Sequence, residues 1–459
     1  MKKLIAILLA ALMICSLFVG CAKTEEPVVE PETETEAPAV EGEESLMDKY
    51  GFEELDIMAF EGGNIGLWDE MVELFKSYYP GVEVKADISS DIANRIRSRM
   101  MTDDQPDWVL SSGSEWSYTA AARAGQMLDL ADFYANGVNA DGVPMNEIVT
   151  PDMLADCYVG DEIIKAPTSA SYLGWWYNVN MFNELGIEPP KTWDELYAVA
   201  EVLNENDIIP FMYQFPSYGL WGMSYQIVAA FGGRELYNDC YVTLTEGAWT
   251  SEAALKAITA QDNLVKDGIL SPLSAGADFT AAQVDFVNGR IGIIPNGTWF
   301  ENEMAEVTPE DFDMAFIAFP AAEEGGNRYV VTSVSGGQAI KGGDNAAALA
   351  WLGVLYSDEG QKLFAKYGSF PISKAMDASI VEEYMTPANF TAFQAAQESD
   401  VEFLSNGPES WYGDLQDAVK VNNDNICLQD MTPEEYCEAI EAAAEKCRND
   451  ENVTIREAH

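Results

Sequence analysis

The chain has 459 residues, and 77 acidic against 25 basic side chains give it a formal net charge of −52. Apolar residues make up 48% of the sequence, as expected of a globular protein with two or three domains. Phosphate backbones would repel so acidic a chain, and its single histidine, His459, excludes histidine-based triads, Cys-His dyads and histidine-rich zinc sites.

Residues 1–20 have the plan of a secretory signal, because Lys2 and Lys3 precede an uncharged apolar run from residue 4 to residue 18. The run ends in Phe-Val-Gly-Cys, which resembles a bacterial lipobox with Cys21 as the lipidated residue. A plain signal peptide cut near Gly20 and an uncleaved anchor are the alternatives. Residues 21–46 are predicted to be an acidic, disordered tether, since residues 22–45 hold nine glutamates, three prolines and no aromatic residue.

The body opens with alternating strand and helix patterns. Strands are predicted at 55–60, 82–86 and 108–110, and helices at 66–79 and 91–102. The turn at 61–64 joins the first strand to the first helix. This β-α-β-α-β order indicates a mostly parallel sheet with helices on both faces.

Later segments carry their own helix signals. Capping boxes begin at Thr192 and Thr432, Gly289 follows a helix end, and residues 291–294 have the pattern of a buried strand. Five cysteines remain in the body, an odd number, so at least one must be free: Cys157, Cys240, Cys427, Cys437 and Cys447. We expect buried thiols, because no zinc-site spacing occurs and the last two lie about 15 Å apart on one helix.

Four blocks of sequence, in order, resemble one family. They are LGWWYNVNMFNELGIEPPKTWDEL at 173–196, DFVNGRIGIIPNGTW at 285–299, the segments 319–320, 336–340 and 345–361, and MTPEEY at 431–436. Together they resemble the extracellular solute-binding proteins of carbohydrate ABC transporters, the group of the maltose-binding protein. The resemblance extends over residues 50–447.

The resemblance implies an α/β fold of the type II periplasmic-binding-protein kind, with two lobes that are each a mostly parallel sheet flanked by helices. Lobe 1 is then expected to comprise residues 47–168 plus 333–372, and lobe 2 residues 169–332 plus 373–459. The chain is expected to cross between lobes near 168–171, 333–335 and 372–373. Ligand binding in the cleft is expected to close the lobes by a hinge motion.

A sugar needs flat aromatic faces and short polar groups that both donate and accept hydrogen bonds. By family position and predicted loop position, the ligand-binding candidates are Trp299, Trp411, Tyr412, Trp221, Trp116, Glu61, Asn64, Glu115, Ser171 and Gln338.

Each candidate has a plainer alternative. Core packing is equally open for Trp221 and Trp116, and is the expectation for Trp175, Trp176 and Trp193. Glu61 and Glu115 are two of 77 acidic residues, for which a solvated surface is the usual place, and only their predicted loop positions make them candidates. The pairs at 62–63 and 336–337 are not phosphate loops, since no Lys-Ser/Thr follows, so we expect them to bring backbone close to ligand or to the other lobe.

The function implied by the resemblance is capture of a carbohydrate, an oligosaccharide given several aromatic platforms, and its delivery to ABC permease subunits. Such a protein is a monomer and not an enzyme, and it needs no metal or cofactor. The lipobox and tether favour the outer face of a Gram-positive-type cell membrane, with the lipid as anchor. The alternatives are the same fold binding a polyamine, a surface glycosidase working with two carboxylates, and an adhesin.

Overall fold

A computed structural model of the protein describes residues 45–112, 116–149, 151–154, 157–372 and 378–457. The signal, Cys21, nearly all of the tether, Glu115 and His459 therefore lie outside the described residues. Residues 46–459 form one compact unit.

The strands are β1 Glu54–Phe60, β2 Glu83–Ser89, β3 Trp108–Leu110, β4 Tyr158–Val159, β5 Glu162–Ile163, β6 Ala166–Asn178, β7 Ile209–Phe211, β8 Ile291–Gly297, β9 Met314–Ile317, β10 Arg328–Ala339, β11 Phe370–Pro371 and β12 Val401–Ser405. The α-helices are α1 Leu46–Tyr50, α2 Leu67–Tyr78, α3 Ile92–Arg99, α4 Tyr118–Arg123, α5 Ala131–Asn136, α6 Met145–Ile148, α7 Pro151–Leu154, α8 Val179–Leu185, α9 Trp193–Glu205, α10 Phe215–Gly219, α11 Tyr225–Tyr237, α12 Glu252–Lys266, α13 Phe279–Val287, α14 Phe300–Met304, α15 Asn345–Leu355, α16 Asp358–Lys366, α17 Ala378–Tyr384, α18 Pro387–Ala396, α19 Pro408–Trp411, α20 Gly413–Cys427 and α21 Pro433–Asn449. Leu220–Ser224 and Asn238–Val242 are π-helical, and Pro272–Ser274 is a 3₁₀ turn.

The local signals in the sequence are confirmed. The first three strands and two long helices differ from their predicted bounds by at most three residues at either end. Both capping boxes form: Thr192 with Glu195, and Thr432 with Glu435, each satisfy two backbone N–H groups at a helix start.

One sheet runs through most of the described body. It has ten strands, with the order β2-β1-β3-β10-β6-β8-β7 along its main path. At one end β1 pairs in parallel with β2 and β3. At the other end the sheet is mixed, because β6 is antiparallel to β8 and β9, whereas β7 is parallel to β8.

Hydrophobic residues divide into separate cores at the two ends of this sheet. The cores of lobe 1 draw on residues 52–166 and 339–372, and those of lobe 2 on residues 173–331 and 365–447. Trp175, Trp176 and Trp193 are all buried in lobe 2, as predicted. The exact lobe boundaries stay a prediction, since Ala365 and Phe370 join a lobe 2 core although we expected them in lobe 1.

The three segments expected to cross between lobes lie side by side. In β6 and β10, Ser171 is opposite Ser333 and Ser169 is opposite Ser335, and the register shifts directly after Ser335. The short strand β11 pairs with the other side of β6, with Phe370 opposite Ala170. Among the described residues, these backbone pairs join the two halves of the sheet.

Gln361 ties the crossing segments to α15 and α16. Its side chain is fully buried, and its amide nitrogen donates to the carbonyls of Thr168 at 3.1 Å and Leu355 at 2.7 Å. Its amide oxygen accepts from the N–H of Ile372 at 3.0 Å. One side chain therefore satisfies buried backbone groups of two crossing segments.

The five body cysteines are all buried thiols, and none of them is in a disulfide. Burial raises the pKa of the Cys427 thiol to about 11 and that of the Cys437 thiol to about 12, so both stay protonated at neutral pH. Within the described ranges, no helix is both long and apolar enough to cross a membrane, and no group of three or more His, Cys, Asp or Glu side chains is arranged to hold a metal ion.

We expect Gln361→Leu to lower the free energy of unfolding by about 2–4 kcal/mol, because it leaves three buried backbone groups without partners. Urea unfolding measures the loss. The matched control is Gln394→Leu on the exposed face of α18, which should change stability by no more than about 0.5 kcal/mol. Equal losses in the two variants would contradict the bridging role of Gln361.

Candidate functional site

In lobe 1, polar residues follow the carboxyl ends of two parallel strands. Ala59 of β1 is level with Leu110 of β3, so the loop at 61–64 and Ser111 emerge at the same edge. Ligands of open α/β sheets bind beyond this edge. Glu61 and Asn64, both predicted as site residues, are half-buried there.

In lobe 2, the strands β8 and β12 also end at the crossing ribbon. Gly297 at the end of β8 is opposite Leu173 of β6, and Ser405 at the end of β12 is opposite Thr332 of β10. Trp299 follows β8, and Trp411 lies six residues beyond β12. Strand ends of both lobes thus converge on the part of β6 and β10 that holds the serine pairs.

Trp299 is the sequence candidate that the structure places at the contact between the lobes. Its indole is half-buried and packs partly against the lobe 2 core. Two glycines leave room for the ring: a Cβ at Gly297 would lie 2.3 Å from its Cζ3, and one at Gly63 of lobe 1 would lie 2.6 Å from its Cδ1. The expected close approach of the 62–63 backbone to the other lobe is therefore confirmed at Gly63.

The loop at 61–64 is held at both ends. The Glu61 N–H donates to the Ser89 carbonyl at 3.2 Å, and the Asn64 amide donates to the Ser369 hydroxyl at 2.9 Å. From lobe 2, the Asn302 amide donates to the Gly63 carbonyl at 2.5 Å.

Helix α14, which follows Trp299, is fixed within lobe 2. Glu301 accepts from the Asn389 amide at 3.1 Å and from the Thr386 hydroxyl, both at the start of α18. Burial raises the pKa of the Glu301 carboxyl, while these two hydrogen bonds act in the opposite direction. Trp299 therefore rests on a helix that moves with lobe 2.

Trp411 is half-buried at the end of the short helix α19. The Arg456 guanidinium lies 4.9 Å from the centroid of its indole, a cation–π contact that covers one ring face. The ring edge packs against Gly407, where a Cβ would lie 2.0 Å from Cζ2. The remaining ring face is the part of Trp411 that can serve as a platform.

Three predicted site residues lie in the interior, and Ser171 is also largely covered. Tyr412 is fully buried: its hydroxyl donates to the Val242 carbonyl at 2.6 Å and accepts from the Arg456 N–H at 2.9 Å. Gln338 is 3% exposed and donates to the Gly336 carbonyl, and Trp116 packs in a small lobe 1 core. In this conformation Tyr412, Gln338 and Trp116 pack in the interior, and their contact with a ligand stays a prediction.

Two other candidates carry less information. Trp221 lies in the π-helical stretch Leu220–Ser224, and Glu115 falls outside the described residues. Ser171 is 8% exposed and lies in the crossing ribbon opposite Ser333.

Three polar residues at the same strand ends were not among the site residues predicted from the sequence. The Ser111 hydroxyl after β3, the Thr298 hydroxyl after β8 and the Asn406 amide oxygen after β12 are buried without a hydrogen-bond partner among the described residues. Buried polar atoms are normally paired, so these three are available to a bound solute or water. Their position directly after a strand was the available signal, and two of the three strands, β3 and β8, are buried.

We expect Tyr412→Phe to lower the free energy of unfolding by about 1–2 kcal/mol, because the Val242 carbonyl and the Arg456 N–H both lose their partner. Urea unfolding is the measurement. Tyr158→Phe, at a position that is 39% exposed, removes the same hydroxyl from the surface and should leave stability unchanged. If Tyr412→Phe leaves the free energy of unfolding unchanged, the hydroxyl of Tyr412 has no packing role.

Comparison with known proteins gives the family. The model of the family described as bacterial extracellular solute-binding protein matches residues 63–362. The diacetylchitobiose binding protein of Streptomyces coelicolor is 24% identical over 281 residues, which is 60% of each chain. The multiple sugar-binding protein of Streptococcus mutans is 24% identical over 260 residues, 56% of this chain and 59% of that one. This chain thus spans about 60% of the length of the curated relatives it matches.

Solved structures show the fold. An ABC substrate-binding protein from Listeria monocytogenes, in complex with cycloalternan, superposes with a TM-score of 0.68 at 19% identity, covering 86% of this chain and 98% of that chain. At this identity the likeness concerns the fold alone, which is the two-lobed α/β fold of type II solute-binding proteins. With 300 consecutive residues, 63–362, matched by the family model, the chain belongs to the bacterial extracellular solute-binding proteins.

Proposed function

We propose that the protein captures a neutral oligosaccharide between its lobes and delivers it to an ABC permease. The observation that carries the proposal is the half-buried Trp299 at the end of β8, directly against the lobe 1 loop. A flat ring between two lobes suits the C–H face of a sugar, and the unpaired Ser111, Thr298 and Asn406 atoms, each directly after a strand that ends toward the crossing, suit its hydroxyls. The names of the two curated relatives support a sugar as the solute.

The chemistry of the convergent residues favours binding over turnover. Glu61 is half-buried at the lobe 1 edge, whereas Glu301 is tied to Thr386 and Asn389 of its own lobe. A glycosidase needs two carboxyl groups facing each other across the scissile bond. We propose a monomeric binding protein that releases its sugar unchanged and takes up no metal or cofactor.

The first test is thermal unfolding of the chain from Ala22 onward, with chito-oligosaccharides, raffinose, malto-oligosaccharides, monosaccharides and polyamines. A ligand at 100 times its dissociation constant should add about 2.7 kcal/mol to the free energy of unfolding. For a body of this size we expect a rise in midpoint of about 3 °C. If only polyamines raise the unfolding midpoint, the proposal that the ligand is a sugar is wrong. Chromatographic detection of cleaved sugar would contradict the proposal that the protein is not an enzyme.

For the oligosaccharide that binds, Trp299→Ala should weaken affinity in calorimetry by about ten-fold or more, since stacking and apolar burial are both lost. Trp299→Phe should lie between this variant and wild type. The control is Trp193→Phe, at a buried position in α9, which should leave affinity unchanged. If Trp299→Ala binds the sugar with unchanged affinity, the indole does not contact the sugar.

We further propose that lipid on Cys21 holds the protein at the outer face of the cell membrane, of the Gram-positive type. In a host that processes lipoproteins, Cys21→Ala should abolish incorporation of labelled palmitate and release the protein to the medium. Cys15→Ala, inside the proposed signal, is the matched control and should keep the label. Labelling that survives Cys21→Ala would contradict the anchor.

A further inference from the structure

The loop at 61–64 makes its contact with lobe 2 through backbone alone. Gly63 offers its carbonyl to the Asn302 amide at 2.5 Å, and its α-carbon faces the Trp299 ring. An added Cβ would stand 2.6 Å from Cδ1, 2.9 Å from Cβ and 3.0 Å from Cγ of that tryptophan. Contacts under 3.0 Å are essentially never seen for real Cβ atoms, so a larger residue at position 63 forces the Trp299 side chain or the backbone of the loop to shift.

Both sides of this contact are rooted in their own lobe. The Glu61 N–H is bonded to Ser89 in β2, and the Trp68 indole donates to the Phe60 carbonyl at 3.0 Å, which fixes the loop to lobe 1. On the other side, α14 is bonded through Glu301 to Asn389 of lobe 2. Motion of one lobe against the other therefore has to break the contact between them.

A second contact of the same kind lies beside it. Gly368 lies against the Thr298 carbonyl of lobe 2, where a Cβ would come within 2.4 Å of the oxygen, and the Asn64 amide joins the loop to the neighbouring Ser369 at 2.9 Å within the expected lobe 1. Residues 63–64, 298–302 and 368–369 therefore form one continuous contact, built around two glycines.

We propose that this contact is a latch: Gly63 and Asn302 hold the lobes together in the free protein and set the position of Trp299 over the site. Gly63 and Asn302 are positioning residues, because they act through the lobe arrangement and the indole. The effect on affinity rests on the proposed function; the effect on the lobe arrangement does not. Apparent affinity scales with the fraction of molecules in the binding-competent arrangement.

The test measures the distance between the lobes without sugar. Spin labels are attached through Met101→Cys in lobe 1 and Leu273→Cys in lobe 2, positions 78% and 66% exposed, while the native thiols are buried. In the chain from Ala22 onward, we expect Gly63→Ala to shift the distance distribution away from that of the otherwise native protein. Asn302→Ala should shift it in the same direction by a smaller amount.

Matched controls separate the latch from general effects of substitution. Gly413→Ala makes the same change at a position with open space around its α-carbon, and Asn288→Ala removes an amide bonded only within its own helix. Neither control substitution should change the distribution of distances between the two spin labels. Distributions in Gly63→Ala and Asn302→Ala that coincide with that of the native protein would overturn the latch.

With a binding sugar in hand, Gly63→Ala should weaken apparent affinity by ten-fold or more and Asn302→Ala by about two- to ten-fold, the range of one hydrogen bond. Weaker affinity with an unchanged free-state distribution would mean direct contact with the sugar and would overturn the latch. If no sugar binds, the proposed function fails while the distance measurement still decides the latch.

Discussion

The antiparallel pairing of β6 with β10 is the constraint on which the rest of the structure depends. These two strands, with the short β11 beside them, carry backbone hydrogen bonds from one lobe into the other. A paired ribbon resists stretching but can bend and twist, and the register shift after Ser335 is the kind of irregularity that permits local bending. The lobes can therefore change their angle without losing their separate cores.

The same ribbon explains why the candidate site lies where it does. In lobe 1, β3 is antiparallel to β10, which directs the carboxyl ends of β1 and β3 toward the crossing. In lobe 2, β12 is parallel to β10 and β8 is antiparallel to β6, which directs their carboxyl ends to the same place. Trp299 and the loop at 61–64 meet because the strands before them, β8 and β1, run toward the crossing from opposite halves of the sheet.

Much of this was predictable from sequence because the signals were local. Capping boxes, helix-ending glycines and buried runs located the elements, and the resemblance suggested where the chain crosses between the lobes, which stays a prediction. The site was less predictable because burial depends on distant partners. Tyr412 follows a tryptophan in a loop-like segment, yet its hydroxyl bonds to Val242, 170 residues earlier in the chain. No short window of sequence contains that partner, nor the contact of Gly63 with Asn302 across 239 positions.

The five buried thiols have a consequence for how the protein ages. In the folded state burial raises the pKa values of the Cys240, Cys427, Cys437 and Cys447 thiols, so little thiolate exists there to react with oxidants. Unfolding exposes all five thiols at once, and any disulfide formed then is one that the native structure lacks. In an oxidising medium we therefore expect unfolding to become irreversible, so that the rate of unfolding, rather than its equilibrium, limits how long each molecule keeps its fold.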